Sequence, residues 1–452
     1  MPEHIDLSPN PKSHIKTLAR IGYNLNSAIS DIIDNSVTAE SNNIYTEIDI
    51  IDEKAVLIIL DDGYGMTPET LIDSMRIGCK DPADIRNEFD LGRFGSGMKM
   101  ASFSQARKLT VISKDSSSKP QSATWDLDLV EHENAWKLIK HSEVETNDLC
   151  SKFNIQFGKQ GTAIIWENIG KYDGYPVSEL QAVLGQDLTN LKSYVRLHFH
   201  KFMEGKRAIN FYFNYQKLEH FDPFLRSRSG YQEGPSQKFR VKKGGSIELR
   251  VHILPHESKL TKSDLAKLGG TDQITANQGL YVYRANRLII SGGWFGLTRL
   301  SQLGKLARVE VNVPTSLDEE WSTDVKKSSL EIPHKVKAKL KQLIREPIKR
   351  SQKTYRYRGR LEEANAFWKV NENERDKSIS YEIAKDNTLL KHLLSTLNNE
   401  QASTLIEYLK NLSAEIPIHH IYEKMSSEPN QINQNDISYT DLLEGLKKLW
   451  NK

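Results

Sequence analysis

An apolar run of strand length, Ala55 to Leu60, stops abruptly at Asp61-Asp62-Gly63-Tyr64-Gly65-Met66. A second strand-like run, Ile44 to Ile50, precedes it across the charged turn Asp52-Glu53-Lys54, so the pair predicts a hairpin. Glycines at the strand end allow a tight turn and let a flat ligand approach the backbone. A carboxylate placed there accepts a hydrogen bond from an exocyclic amine. Asp-Gly after a strand is also a common plain turn, and on these residues alone that alternative stays open.

The surrounding pattern is α/β. Residues 12 to 40 read as helical, and Thr67-Pro68-Glu69 has the form of an N-cap with proline in the first turn, opening a helix to about Arg76. After a glycine-rich segment come strand candidates at Leu109 to Ser113, Ala123 to Leu127 and Gly161 to Trp166. With 452 residues the chain exceeds one ordinary core. Three regions are expected: an α/β sandwich over 1–170, a smaller α/β domain over 171–332 and a helical region over 333–452. The second contains a helix near Val177 to Leu191 and strands near Ile209 to Asn214, Ile247 to Leu254, Leu280 to Tyr283 and Val309 to Val313. In the third, helical signals recur at Val336 to Ile344 and Leu389 to Leu412, with a last amphipathic segment at Leu442 to Leu449.

Three further constellations carry chemistry. In Ser30-Asp31-Ile32-Ile33-Asp34-Asn35-Ser36, Asp31 and Asn35 stand four apart on a predicted helix and share a face, whereas Asp34 points off it. An amide oxygen beside a carboxylate suits a Mg-nucleotide site, the amide holding the hard cation and the carboxylate taking a proton from water. An exposed polar face or a cap is the other reading. Next, Leu91-Gly92-Arg93-Phe94-Gly95-Ser96-Gly97-Met98-Lys99 leads into a predicted helix, where successive amides and Lys99 would cradle phosphates, unless it is a plain surface loop. Its GxxGxG spacing is the reverse of a dinucleotide fingerprint, and no Gly-Lys pair is followed by Ser or Thr as a Walker A loop requires. Last, Gly161-Thr162 places a hydroxyl at the start of a strand.

Composition excludes several classes. No run approaches a membrane span, and the start, Met1-Pro2-Glu3-His4-Ile5-Asp6, lacks the basic and apolar parts of a secretory signal, so a cytoplasmic protein is expected. Cys79 and Cys150 alone make no disulfide framework or zinc site. A net charge of +3 is too small to imply nucleic-acid binding by the whole molecule.

In their order and spacing, the Asn-bearing helix, Asp-x-Gly-x-Gly, the glycine-rich segment and Gly-Thr resemble the GHKL superfamily of gyrase, heat-shock chaperone, histidine kinase and MutL ATPases. The Asp-Asn-Ser, Asp-Asp-Gly-x-Gly-Met and Gly-x-Phe-Gly-x-Gly-Met-Lys forms are most like MORC-type and MutL-like members. The resemblance covers about the first 170 residues and implies a Bergerat-type sandwich binding ATP and Mg2+. It implies that Asn35 ligates Mg2+, and that Asp61 binds the adenine amino group within the turn Gly63, Gly65 and Met66, with Thr162 nearby. Gly92, Phe94, Gly95, Ser96, Gly97, Met98 and Lys99 would form the phosphate lid. Asp31 stands where the family usually has a Glu base, one methylene shorter, which implies slow hydrolysis or a need for lid closure.

More faintly, residues 171–332 resemble a transducer domain, through Gly279 to Ile289 above all. In Trp321 to Leu330, Lys327, with Lys326 the alternate, stands where the family has a lysine that reaches the γ-phosphate. This arrangement implies dimerisation on ATP binding and action on DNA or a protein partner. A nucleotide-gated binding module with little or no hydrolysis, or a chaperone-like ATPase, are the alternatives. Lys335 to Arg360 form a basic stripe with Tyr355 and Tyr357 interleaved, fitting either phosphate contacts on DNA or a solvated or partner-facing surface.

Overall fold

Helices α1 (Pro11–Ala19) and α2 (Leu25–Thr38) stand where one helical stretch was expected. The break has a local cause. Asn24 caps α2 by accepting from the Ser27 amide at 2.9 Å, while the Asn24 amide donates to Ser27 Oγ at 3.2 Å. In the computed structural model the described residues are 9–20, 22–78, 97–234, 236–240, 245–300, 304–315, 337, 340–341, 367–373, 378–418 and 421. Cys79, Gly92, Phe94, Gly95, Ser96, Lys326, Lys327, the segment Leu442 to Leu449, and all of the basic stripe but Lys337 and Lys341 lie outside them.

Strands β1 (Asn43–Ile51) and β2 (Lys54–Asp61) form the expected hairpin, turning through Asp52 and Glu53, both with left-handed φ. Helix α3 (Pro68–Met75) starts as predicted, with Thr67 Oγ1 accepting from the Thr70 amide at 3.2 Å. Helix α4 (Gly97–Gln105) precedes β3 (Ala106–Lys114) and β4 (Gln121–Asp126). Leu127, expected in that last strand, instead opens α5 (Leu127–Glu133), because Asp126 accepts from the amides of Asp128 and Leu129 and caps the helix. Then come β5 (Ile139–Lys140), α6 (Glu143–Lys152), β6 (Gly161–Ile169), α7 (Val177–His198), β7 (Asn210–Phe213) and β8 (Gln216–Lys217).

These strands make one mixed eight-stranded sheet, ordered β5-β4-β3-β6-β2-β1-β7-β8, with β1 and β7 parallel. The first core therefore does not end near residue 170. Leu180, Leu184, Leu191 and Val195 of α7, together with Phe211, Phe213 and Leu218, are buried in it. Apolar side chains on α7 and an unsatisfied β1 edge draw residues 177–218 onto the first sheet.

Register fixes which side chains share a face. Leu57, Trp166 and Leu109 lie in one row across β2, β6 and β3, and Ile59, Ile164 and Val111 in the next, all buried against the helical layer. The third row, one step further, is Asp61, Thr162 and Ser113. The opposite face, with Val56, Ile58, Ile112, Ala163 and Ile165, packs on Phe153 and Ile155 after α6.

A second sheet contains β9 (Gln232–Glu233), β10 (Gln237–Arg240), β11 (Ser246–Ile253), β12 (Gly279–Arg284), β13 (Arg287–Ser291) and β14 (Ala307–Val313), ordered β10-β11-β14-β12-β13 with β9 beside β11. It has its own core, and α8 (Lys262–Lys267) and α9 (Thr271–Ala276) accompany it. The last region is not helical alone. A hairpin of β15 (Trp368–Asn373) and β16 (Ser378–Ile383) precedes helices Thr388–Thr396 and Asn399–Ala414. Among the described residues no helix is long and apolar enough to cross a membrane.

Candidate functional site

The third row makes the site. Two rows of wholly apolar side chains pack the sheet against α2, and then the same face turns polar at the sheet's end. Asp61 is buried there, 7% exposed. Its Oδ2 accepts from Ser36 Oγ of α2 at 2.7 Å and its Oδ1 from the Gly63 amide at 3.0 Å. Burial pushes the Asp61 carboxyl up against the opposing pull of hydrogen bonds from Ser36, Gly63 and Ser41. A carboxylate has about four lone-pair positions, so Ser36, Gly63 and the neighbouring Ser41 hydroxyl leave room for another donor. The set thus fits a ligand that brings an N–H donor.

Asp62 does different work. Its Oδ1 accepts from the Asn42 and Asn43 amides, and Oδ2 from the Asn43 side chain, which ties the β2 end to the entry of β1.

The two glycines are sterically required. A Cβ on Gly63 would lie 2.7 Å from the Ala39 carbonyl oxygen at the end of α2. One on Gly65, where φ is +68°, would lie 2.0 Å from the Lys114 carbonyl oxygen. The turn is pressed between α2 and β3, so the backbone after Asp61 is held close to the third row. Ser113 completes that hold: its Oγ accepts from the Met66 amide at 2.9 Å and lies 2.8 Å from Thr162 Oγ1.

On α2, Asp31 is half-buried and Asn35 exposed, while the intervening Ile32, Ile33 and Asp34 are buried. Asp31 Oδ2 accepts from Tyr23 Oη at 2.9 Å. Burial, and then the Asp31 carboxylate, raise the Tyr23 phenol, so it stays a donor. An exposed amide oxygen one turn from a carboxylate fits a hard divalent cation with water in its shell.

Of the residues expected near phosphates, three are described. Gly97 opens α4, Met98 is half-buried, and Lys99 is 2% exposed with its Nζ donating to the Ser74 carbonyl at 2.6 Å. Lys99 thereby joins α4 to α3. The partners not foreseen are Ser36 and Ser113. Ser113 is legible in hindsight as the third member of the alternating series Leu109, Val111, Ser113, directly opposite Thr162.

Residues 23–157 match the family model described as histidine kinase-, DNA gyrase B-, and HSP90-like ATPase. Among curated proteins, the ATPase morc-1 of Caenorhabditis elegans is 27% identical over 108 residues, a stretch that takes in 24% of this chain and 11% of that protein. Asp31, Asn35, Ser36, Asp61 and Ser113 all fall within the matched segment. The helix that presents Asp31 and Asn35, and the buried Asp61 at the end of the strand beneath it, thus lie in a segment that matches the GHKL ATPase family model and is consistent with a GHKL or MORC-type ATPase.

Proposed function

We propose that this chain is a Mg2+-dependent, ATP-hydrolysing conformational switch that pairs two copies when ATP is bound and acts on DNA or a protein partner. The observation that supports it best is Asp61, a buried carboxylate with acceptor capacity left, held by Ser36 and by a turn that excludes a Cβ. In this reading Asp61 accepts from the adenine amino group, with Thr162 and Ser113 lining the same row. Asn35 would hold Mg2+, which supplies charge neutralisation at the phosphates. Asp31, oriented by Tyr23, takes a proton from the attacking water. The segment Gly92 to Gly97 and the start of α4 would cover the phosphates, and Lys327 or Lys326 would reach the γ-phosphate. Residues 219–332 would act as transducer and the stripe from Lys335 to Arg360 as a nucleic-acid contact.

A nucleotide-gated binding module with little hydrolysis is the second reading, favoured by the short Asp31 side chain already engaged by Tyr23. Phosphate release from ATP by the intact protein, with and without DNA, decides between them. Turnover abolished by Asp31→Ala supports the switch. Nucleotide binding with no turnover in the parent supports the module, and no nucleotide binding sinks both.

A further inference from the structure

Away from that site, His200, Glu204 and His220 converge where the first sheet's last elements meet the second sheet. We propose that these three residues form a binding site for a divalent transition ion, with Zn2+ the best match. His200 follows α7 and opens the short helical turn His200–Met203, and Glu204, the extended residue that ends that turn, brings its carboxylate back beside the His200 ring. His220 comes from the segment after β8. Glu204 Oε1 lies 3.4 Å from His200 Nδ1 and 3.7 Å from His220 Nε2, and the three ligand atoms all lie within 4.8 Å of one another. Tetrahedral zinc, at roughly 2.0–2.2 Å from nitrogen and oxygen, sets its ligand atoms about 3.3 Å apart. The two Glu204 distances are near that spacing before any ion draws the cluster in.

His200 carries the second argument. Its side chain is wholly buried, yet Nδ1 makes no well-aligned hydrogen bond and faces Glu204 Oε1 at 3.4 Å. The other ring nitrogen, Nε2, is 2.7 Å from Tyr283 Oη on β12. With Nε2–H donated to the Tyr283 hydroxyl, as metal-binding histidines use their second nitrogen, Nδ1 keeps its lone pair for an ion. Two imidazoles and one carboxylate suit Zn2+ rather than Mg2+, which prefers an all-oxygen shell. His220 is exposed, so a fourth position opens to water. Arg226 opposes the ion, since its Nη2 donates to both Glu204 oxygens at 2.8 and 2.9 Å. Glu204 would keep Arg226 on one oxygen and turn a free lone pair of Oε1 to the metal, so the affinity is expected below that of an unopposed three-ligand site.

The test is a titration of the intact, chelator-stripped, nucleotide-free protein with ZnCl2 and, separately, CoCl2. One tight equivalent of zinc and a visible cobalt band of four-coordinate intensity are expected. His220→Ala changes an exposed side chain and should fold as the parent does, yet lower zinc affinity at least about tenfold and abolish the cobalt band. Glu204→Gln, checked for folding by circular dichroism, should do the same. No stoichiometric zinc in the parent, or equal zinc affinity in folded His220→Ala, overturns the site and leaves Glu204 only an ion-pair partner of Arg226.

Discussion

Arg287 on β13 donates from Nε to Asp34 Oδ1 on α2 at 3.0 Å, in a pair whose side chains are 4% and 3% exposed. The guanidinium also stacks 4.1 Å above the Phe199 ring and donates to the Leu288 carbonyl. The second sheet is therefore fastened to the helix that presents Asp31 and Asn35. Arg287→Met removes the guanidinium that pairs with the buried Asp34 charge, which costs about 3–5 kcal/mol. Urea unfolding should show that loss, and Asp34→Asn combined with Arg287→Met should recover most of it. A single-variant loss under about 1 kcal/mol would mean that Asp34 finds water.

Asp61→Asn separates binding from stability. The amide presents a donor where an exocyclic amine needs an acceptor, so ATP affinity by calorimetry should fall by roughly 5- to 150-fold, the range of about 1–3 kcal/mol for a mismatched buried polar group. Stability should move the other way. Burial raises the carboxyl's folded pKa above its unfolded value, so the native state holds the proton more strongly, and stability declines as pH rises through the folded pKa. The variant lacks that penalty. Its advantage in denaturant should be absent at low pH and grow as the parent's carboxyl ionises; an advantage that shrinks with rising pH would contradict the burial argument.

The parts of this site that were legible in the sequence are those with local signatures. The β1–β2 hairpin followed from two apolar runs about a charged turn, α3 from Thr67-Pro68, and the strand-end carboxylate from the apolar run before it. What escaped depends on distance along the chain. Nothing near Asp34 signals Arg287, 253 residues away. Nothing in the short Asn210 to Phe213 run says that it will extend the first sheet beside β1 rather than join the strands that follow. Ser113 looked like a strand terminus because its meaning lies in its neighbour Thr162, which only register supplies.

Asp31 and Tyr23 give a kinetic test. If Asp31 is the base, Asp31→Ala should lower turnover by at least about 100-fold, within the usual range for a positioned base, while ATP still binds within a few-fold of the parent. Tyr23→Phe removes the donor that orients the carboxylate. It should lower kcat with KM little changed. Asp31→Glu, one methylene longer, should turn over at least as fast as the parent. Full activity in Asp31→Ala would remove the assignment.

The last expectation joins the nucleotide site to the rest of the molecule. A ligand shifts a conformational equilibrium only through its different affinity for the two states. Nucleotide on Asn35 and Asp61 would bias the setting of α2, and the second sheet feels that setting through Asp34 and Arg287. A non-hydrolysable ATP analogue should therefore raise the dimer fraction of the parent in sedimentation. In Asp34→Asn with Arg287→Met, which keeps every residue assigned to the nucleotide, the analogue should bind with parental affinity yet raise the dimer fraction much less. Coupling of this kind is commonly about 1–3 kcal/mol, or 5- to 150-fold in the dimerisation constant. An undiminished response in the double variant would place the coupling elsewhere, and an analogue-bound parent that stays monomeric would remove ATP-driven pairing itself.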